Sequence, residues 1–136
     1  MTDNLYASIA SWIDAEFSEP LPEGIVAFNF NLYDGGDPDG FEMELIGAPT
    51  FSEDDEDWAT DDIFMSNPPR FLLPHALVGD VWEAGLECAD ALLVRYIASS
   101  NVGAVRLRQS QAVAVGFVDG NVQIVWRQPK AFARNV

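Results

Sequence analysis

The 136-residue sequence has little positive charge: it contains seven Lys and Arg residues against 22 Asp and Glu, which gives a formal net charge of −15. Proteins that bind nucleic acid or an anionic membrane directly need a basic surface, so the composition argues against both functions. The single cysteine excludes an intrachain disulfide and is typical of a reducing compartment. No apolar run reaches the ~18 residues that span a bilayer, and the N-terminus lacks the basic region of a signal peptide. We therefore expect a cytoplasmic protein.

The chain is well supplied with residues that build a core. Hydrophobic residues make up 49% of it and aromatic residues 12%, which is enough for a compact fold and argues against wholesale disorder. Two halves of such a chain would each have a poor core. The sequence therefore predicts a single acidic domain over residues 1–136, with residues 129–136 as a frayed tail.

The negative charge is concentrated in the first half of the chain. Residues 1–69 contain 17 acidic residues and no Lys or Arg, whereas residues 70–136 contain five acidic and seven basic residues. This distribution predicts a strongly negative surface that repels anions and attracts basic proteins. For the scattered carboxylates, solubility alone is a sufficient explanation.

Apolar spacing predicts a helix at the N-terminus, capped by Thr2 or Asp3 and ending at about Phe17. The residues expected on its buried face are Leu5, Ile9, Trp12, Ile13 and Phe17. Pro20 and Pro22 follow and separate this helix from an extended segment.

Two strands are predicted around the turn-rich sequence DGGDPDG at residues 34–40. On both sides of this turn, apolar residues alternate with smaller or polar ones, as in strands with one buried face. The apolar set is Val26, Phe28, Phe30, Leu32, Phe41, Met43 and Leu45. Glu42 and Glu44 alternate with the last three, so we expect both carboxylates to face solvent.

Residues 50–70 are loop-like in composition, with a short run at Ile63–Met65 that can pair briefly with the sheet, and Phe71–Leu73 is another apolar run. Helical spacing then returns and predicts one long central helix from about Leu77 to Ala98. Its expected buried stripe is Val78, Val81, Trp82, Leu86, Ala89, Leu92, Leu93, Tyr96 and Ile97. Asn101 and Gly103 follow as stop signals.

The C-terminal sequence AVAVGFVDGNVQIVW predicts a second hairpin. Asp119-Gly120 is a favoured two-residue turn. With that turn, three apolar pairs share one face: Phe117 with Val122, Val115 with Ile124, and Val113 with Trp126. The order of elements predicts an α+β fold. In it, an antiparallel sheet of about four to five strands, built from two hairpins, packs against the N-terminal helix and one long central helix.

The sequence contains few groups for catalysis. His75 is the only histidine and Cys88 the only cysteine, so they cannot form an ordinary zinc site. Glu42 and Glu44 share one face of a predicted strand, and paired carboxylates can serve glycoside hydrolysis, but a solvated sheet face explains them fully. No glycine-rich loop with a following lysine indicates a phosphate site. We therefore predict no enzymatic activity, no cofactor and no metal site; a small enzyme using Glu42, Glu44 or His75 is the weakest alternative.

The carboxylates of Asp34, Asp37 and Asp39 lie in the predicted turn. EF-hand spacing fails there, because Gly35 and Ile46 occupy the positions of the first and last ligands. Weak calcium binding of another kind stays open as an alternative, but Asp, Gly and Pro are the residues that turns require.

The segment EDDEDWATDD, residues 53–62, is the most unusual in the chain, with seven carboxylates around Trp58. In one interpretation Trp58 folds back onto the core and the acids face water. In the other it is an aromatic anchor within a ring of charge that attracts a basic partner. The sequence leaves both open, and they are compatible, because an anchored loop would display its acids rigidly.

Four segments carry a family resemblance: LPEGIVAFNFNLYDGG, FSEDDEDWATDDIF, WEAGLECA and AVAVGFVDGNVQIVW. Together they resemble small acidic bacterial immunity proteins of polymorphic or contact-dependent toxin systems, over roughly residues 20–127. The resemblance implies a cytoplasmic, non-enzymatic protein that binds a cognate toxin domain and blocks it. It carries over no set of contact residues, so the expected binding site follows from charge alone.

The leading hypothesis is an inhibitory binding protein that neutralises a basic toxin, with a nuclease as one form, by covering its cationic surface. Nucleases are basic because they grip phosphates. The expected partner-binding residues are Asp34, Asp37, Asp39, Glu53, Asp54, Asp55, Glu56, Asp57, Trp58, Asp61 and Asp62. A close variant is a nucleic-acid mimic that inhibits another protein. The alternative is a structural or regulatory module without a toxin, with a homodimer through a sheet edge as one form.

Overall fold

The structure is a computed structural model that describes residues 2–129. Within this range the helices are α1 (Thr2–Glu16), α2 (His75–Val78), α3 (Trp82–Ile97) and α4 (Val102–Leu107), with a 3₁₀ helix at Glu56–Thr60. The strands are β1 (Ala27–Asp37), β2 (Gly40–Ala48), β3 (Phe64–Met65), β4 (Phe71–Pro74), β5 (Ala112–Phe117) and β6 (Gln123–Arg127). The predicted tail lies outside the described residues from Lys130 onward.

The six strands form one mixed sheet in the order β3-β2-β1-β5-β6. β1 and β2 are an antiparallel hairpin in which Phe30 pairs with Leu45. β3 and β4 both pair with β2, at Ile46–Gly47 and at residues 40–43 respectively, so they share its second edge. The short strand expected at residues 63–65 is therefore confirmed in its last two residues.

The α+β class, the two hairpins and the helical layer are confirmed, but the sheet is larger than expected and is not wholly antiparallel. β1 and β5 run parallel, with Phe30 opposite Val115. All six residues of β5 are buried, which is typical of a strand covered on both faces. Residue alternation identifies strands and their faces, but it does not determine which strands from distant segments become neighbours, or in which direction.

The main core lies between the helices and the inner face of the sheet. The strand residues on this face are Phe28, Phe30, Leu32, Phe41, Met43, Leu45, Leu73, Val113, Val115 and Phe117. From α1, Leu5, Ile9 and Ile13 pack against them, with Phe17 just after the helix, as the spacing predicts. Trp12 is only half-buried, with its ring 6.3 Å from that of Phe30 and 5.5 Å from that of Phe71.

The prediction of one long central helix was wrong in its first part. Gly79 has φ +87°, a conformation that favours glycine, and its N–H donates to the carbonyl of His75 to end α2 after one turn. A new helix, α3, then begins at Trp82. Val81 and Trp82, expected on the buried stripe, lie instead at this break and are 56% and 52% exposed.

The stop signals after α3 were also misinterpreted, because Asn101 precedes a further helix, α4. Gly103 is buried within α4 rather than ending a helix. A Cβ there would lie 2.9 Å from Phe17 and 3.0 Å from Ile13. The glycine therefore allows α4 to approach α1 closely.

The second hairpin keeps only part of its predicted register. Val113 pairs with Trp126 as expected, but Ala114 pairs with Ile124, so Val125 is an extra residue that forms a β-bulge. Val115 consequently faces Gln123 instead of Ile124. The turn is wider than two residues: the backbone of 121–122 folds against Gly116, where a Cβ would lie 2.5 Å from the carbonyl oxygen of Asn121.

Among the helices of residues 2–129, none has both the length and the hydropathy to cross a membrane. The helices cover the inner face of the sheet, and α1, α3 and α4 all contribute buried residues to one core. The break at Gly79 and the approach at Gly103 both shape this layer.

Gly85 provides a test of how closely α3 packs on the sheet. A Cβ at this position would lie 2.6 Å from Cε2 of Phe41, which is fully buried. We expect Gly85→Ala to lower the free energy of unfolding by about 1–3 kcal/mol, even though alanine favours a helix by about 1 kcal/mol. Urea denaturation measures this, with Val94→Ala on the exposed side of α3 as control. An unchanged midpoint for Gly85→Ala would contradict close packing.

Candidate functional site

Residues 53–62, which we call the acidic strap, cross the outer face of the sheet, the face away from the helices. The strap reaches β6, where Oε2 of Glu53 lies 2.6 Å from Nε of Arg127. Oε1 of Glu56 accepts a hydrogen bond from the N–H of Val122 at 3.3 Å. The chain then returns to the opposite edge, where the N–H of Ile63 donates to the carbonyl of Gly47. The strap therefore bridges the sheet from side to side.

Trp58 fastens the strap to the sheet. Its side chain is 4% exposed and packs with the outer-face residues Ala27, Ile46, Ala48 and Ala114. The ring of Phe51 lies edge-on to it at 5.2 Å. Of the two interpretations left open by the sequence, the structure supports the core plug, and the prediction that Trp58 is an accessible anchor for a partner is corrected accordingly.

Local hydrogen bonds order the strap around this tryptophan. The carboxylate of Asp55 caps the 3₁₀ helix by accepting from the N–H of Asp57 at 3.0 Å. The hydroxyl of Thr60 donates to the carbonyl of Asp57 at 2.8 Å, and the N–H of Asp61 donates to the carbonyl of Trp58. The carboxylates on the strap are consequently held by a defined backbone.

A shallow hollow of about 230 Å³ opens on the strap. Its lining is Thr50, Phe51, Ser52, Asp55, Asp57, Trp58 and Asp61. The three carboxylates are exposed, while the two aromatic rings are the less exposed part of the lining. Within residues 2–129, no group of three His, Cys, Asp or Glu side chains is arranged to hold a metal ion. Carboxylates beside aromatic rings instead suit an ammonium or guanidinium group.

The structure separates the other predicted binding residues from this hollow. Asp34, Asp37 and Asp39 lie at the tip of the β1–β2 hairpin, the end opposite Ala27 and Ala48, on which Trp58 packs. The N–H of Asp39 donates to Oδ1 of Asp37 at 2.8 Å, as in a turn. On the strap, the carboxylate of Glu53 pairs with Arg127 and that of Glu56 accepts from the N–H of Val122. Asp54 and Asp62 are exposed but lie outside the hollow.

The expectation that Glu44 faces solvent was wrong. It is 4% exposed. Its Oε2 accepts hydrogen bonds from the hydroxyl of Tyr33 and from Nδ2 of Asn31, the latter at 3.2 Å. Its Oε1 lies 3.5 Å from Nε of Arg70, and Nη1 of the same arginine lies 3.5 Å from Oε1 of Glu42. Tyr33, Asn31 and Arg70 cover this carboxylate, and their hydrogen bonds and positive charge compensate for its burial.

This polar cluster is arranged as an ion-pair network rather than as part of a larger catalytic set. The guanidinium of Arg70 stacks 3.6 Å above the ring of Tyr33. His75 lies elsewhere: its ring packs edge-on against Phe41, an inner-face residue, and its Nδ1 is 2.9 Å from the carbonyl of Gly79. The sheet therefore separates His75 from Glu44, and the two do not form one acid–base pair. Absence of enzymatic activity stays a prediction.

Burial raises the pKa of the Cys88 thiol, so the neutral form is favoured there. The side chain lies half-buried on α3. Reactive cysteines need a lowered pKa and an electropositive setting. The thiol therefore has the features of a packing residue.

Sequence reasoning missed Asn31, Tyr33 and Arg70 as partners of Glu44. A signal was present, since Asn29, Asn31 and Tyr33 alternate along β1 and must share the face opposite Phe28 and Phe30. The hairpin places that polar row beside the glutamates of β2. Phe51, which lines the hollow, had no signal, because it lies in a loop with no period.

Trp58→Ala tests the role of this residue as a core plug. We expect it to lower the free energy of unfolding by about 3–5 kcal/mol, because a large buried side chain is removed. Chemical denaturation measures the change. The matched control is Trp82→Ala, which removes a tryptophan that is 52% exposed and should cost much less. Equal losses for the two variants would contradict the assignment.

Tyr33 makes stability depend on alkaline pH. Burial, followed by the hydrogen bond to Glu44, raises the pKa of Tyr33 to about 12, whereas the pKa of an unfolded tyrosine is about 10. Its contribution is complete below pH 10 and is lost as pH rises through the folded value. We expect Tyr33→Phe to flatten the decline of unfolding free energy between pH 10 and 12, measured by urea titrations. A slope as steep as in the unchanged protein would contradict this.

Comparisons with known proteins leave the function to be argued from this geometry. No family model, no curated protein and no solved structure matches the chain. The resemblance to immunity-type proteins therefore stays a prediction.

Proposed function

We propose that the protein is a non-enzymatic inhibitor that binds a basic protein, with an immunity protein against a basic toxin as its concrete form. The observation that carries this proposal is the hollow on the strap, where the exposed carboxylates of Asp55, Asp57 and Asp61 lie beside the half-buried ring of Phe51. A Lys or Arg side chain from the partner fits this combination of charge and aromatic surface.

Rigidity supports a binding role for these acids. A flexible acidic loop would lose conformational entropy when a partner orders it. Here the burial of Trp58 and the capping of the 3₁₀ helix by Asp55 have already fixed the loop in the free protein. The strap is therefore preorganised for a charged partner.

The use of the arginines also favours a basic partner. Arg70, Arg95 and Arg127 lie in salt bridges with Glu42 and Glu44, with Asp3 and with Glu53. Two others are engaged differently. Arg108 donates to the carbonyls of Ile97 and Ser99, and Arg106 lies over the ring of Phe28. Because these arginines already have partners within the protein, they neutralise few of the carboxylates. Unpaired acids therefore carry most of the net charge of −15.

Inhibition would occur by occlusion. A nuclease concentrates Lys and Arg at its active surface to grip phosphates, and an acidic strap can occupy the same cations. Long-range attraction accelerates the encounter, and the carboxylates of the hollow then pair with a cation of the partner. The same surface would serve against other proteins with cationic sites.

The test begins with the partner itself. The protein is used to capture its partner from the native host, and the captured protein is then expressed with and without it. The proposal requires that the partner be basic and that one equivalent of this protein suppress its toxicity or enzymatic activity. A captured partner that stays fully active when saturated would overturn it.

With that partner, the triple variant Asp54→Asn, Asp55→Asn and Asp57→Asn should slow association, by roughly tenfold, more than it speeds dissociation, because exposed charges steer encounter. The effect should shrink as salt rises, since exposed charges are screened beyond about 8 Å at physiological ionic strength. Surface plasmon resonance at several salt concentrations measures both rates. Asparagine still caps a helix, so the fold of the strap is preserved.

The matched control removes three charges from the N-terminal region: Asp3→Asn, Glu19→Gln and Glu23→Gln. It should slow association much less than the strap variant. If both variants slow it equally, net charge rather than the strap steers the partner.

A further inference from the structure

A second concave surface lies between α3 and the β5–β6 hairpin. It has a volume of about 550 Å³ and is lined by Asp34, Trp82, Leu86, Phe117 and residues 119–123. The Trp82 ring stands edge-on to Phe117 at 6.2 Å and is 52% exposed. A shallower hollow continues it along α3 as far as Ala91 and shares Trp82, Leu86 and Gln123 with it. We call the two together the Trp82 groove.

The groove is apolar in its floor and acidic around its rim. Leu86 and Phe117 lie low in it, while Asp34, Asp119, Glu83, Glu87 and Asp90 surround it. Its lining residues, all within the described part of the chain, contain no Lys or Arg. An exposed tryptophan in such a setting has the character of a binding hot spot.

The groove adjoins the acidic strap. Residues 119–122 form one wall of the groove, and the strap contacts this wall where Glu56 accepts from the N–H of Val122. The groove lies on the helix side of the sheet and the strap on the other, so a partner that touches both must reach around this turn.

We propose that the Trp82 groove takes a segment of the basic partner in which an aliphatic or aromatic side chain is flanked by Lys or Arg. The apolar side chain packs on Trp82 between α3 and β6, and the flanking cations meet the acidic rim. Charge decides between occupants. A small uncharged ligand could fill the apolar floor, but it would make no use of five carboxylates around it.

This inference rests on the proposed function, because it assigns the groove to the same partner. It adds that the two surfaces make different kinetic contributions. The strap, which is exposed and charged, governs the rate of encounter, whereas the groove, which buries apolar surface, governs the lifetime of the complex.

The test uses a defined probe, a synthetic twelve-residue peptide in which lysine alternates with leucine. The ¹H–¹⁵N spectrum of the protein contains one indole resonance for each of its four tryptophans, and that of Trp82 is identified by its loss in Trp82→Phe. We expect the peptide to shift the Trp82 resonance, and Trp82→Ala to weaken binding about tenfold or more. Val94→Ala, an exposed change on the same helix, is the control and should leave affinity unchanged.

Two matched peptides separate the contributions. Replacing lysine by glutamate should abolish binding, and replacing leucine by serine should weaken it about tenfold while keeping its salt dependence. Binding of the serine peptide as tight as that of the leucine peptide would show that charge alone acts, and would overturn the proposal. The proposal would also be overturned if the lysine–leucine peptide left the Trp82 resonance in place, or bound Trp82→Ala with unchanged affinity.

Other occupants give different results. If the uncharged dye Nile red shifts the Trp82 resonance and the lysine–leucine peptide does not, the groove is a small-molecule site and the proposal fails. If the protein alone is dimeric and Trp82→Glu makes it monomeric in sedimentation, the groove is a contact between copies, and the proposal fails again.

Failure of the inference can be told from failure of the proposed function. With the captured partner, Trp82→Ala should raise the dissociation rate while the triple strap variant lowers the association rate. If the partner is inhibited but Trp82→Ala leaves its dissociation rate unchanged, only the proposal for the groove is overturned. A partner that this protein does not inhibit overturns the function, whatever the peptides do.

Discussion

The structure depends on the burial of β1 on both faces. β1 lies between β2 and β5, so its even-numbered side chains enter the core beneath the helices and its odd-numbered ones face outward. The first layer of helices covers the inner face, but no second helical layer covers the outer one within residues 2–129. The acidic strap fulfils that role, with Trp58 as the side chain that seals Ala27 and Ala114 from water.

Covering the outer face imposes requirements on the polar residues beneath. Asn29 is fully buried, and its Nδ2 donates to Oδ1 of Asn31 at 2.7 Å. Asn31 in turn donates to Glu44. A buried carboxylate requires a compensating charge, and Arg70, the first basic residue of the sequence, supplies it from the loop before β4. The ion-pair network thus compensates for the burial of Glu44.

The sequence predicted those features that depend on local periodicity. The spacing of Leu5, Ile9 and Ile13 located α1, and alternation along β1 and β2 located the first hairpin, because neighbouring residues alone decide such patterns. It failed where distant segments meet. The parallel pairing of β1 with β5 and the ion pair of Glu44 with Arg70 both depend on contacts between residues far apart in the chain.

For the candidate site, the sequence identified the acidic segment but not its geometry. Composition singled out residues 53–62, and the structure brings only Asp55, Asp57, Trp58 and Asp61 together in the hollow. The break at Gly79, which leaves Trp82 exposed, has a clear cause in backbone conformation. The sequence did not indicate this break, because the apolar residues before and after it follow one continuous helical spacing.

The fixed position of the strap has an electrostatic consequence. Burial of Trp58 holds Asp55, Asp57 and Asp61 around one hollow, where like charges repel in the folded state more than in an extended chain. The free protein thus contains an unfavourable electrostatic interaction between these carboxylates. A cationic side chain that enters the hollow reduces it. Dissolved ions screen the repulsion in the free protein and the attraction in the complex alike. Added salt would therefore stabilise the protein on its own and weaken its hold on a basic partner.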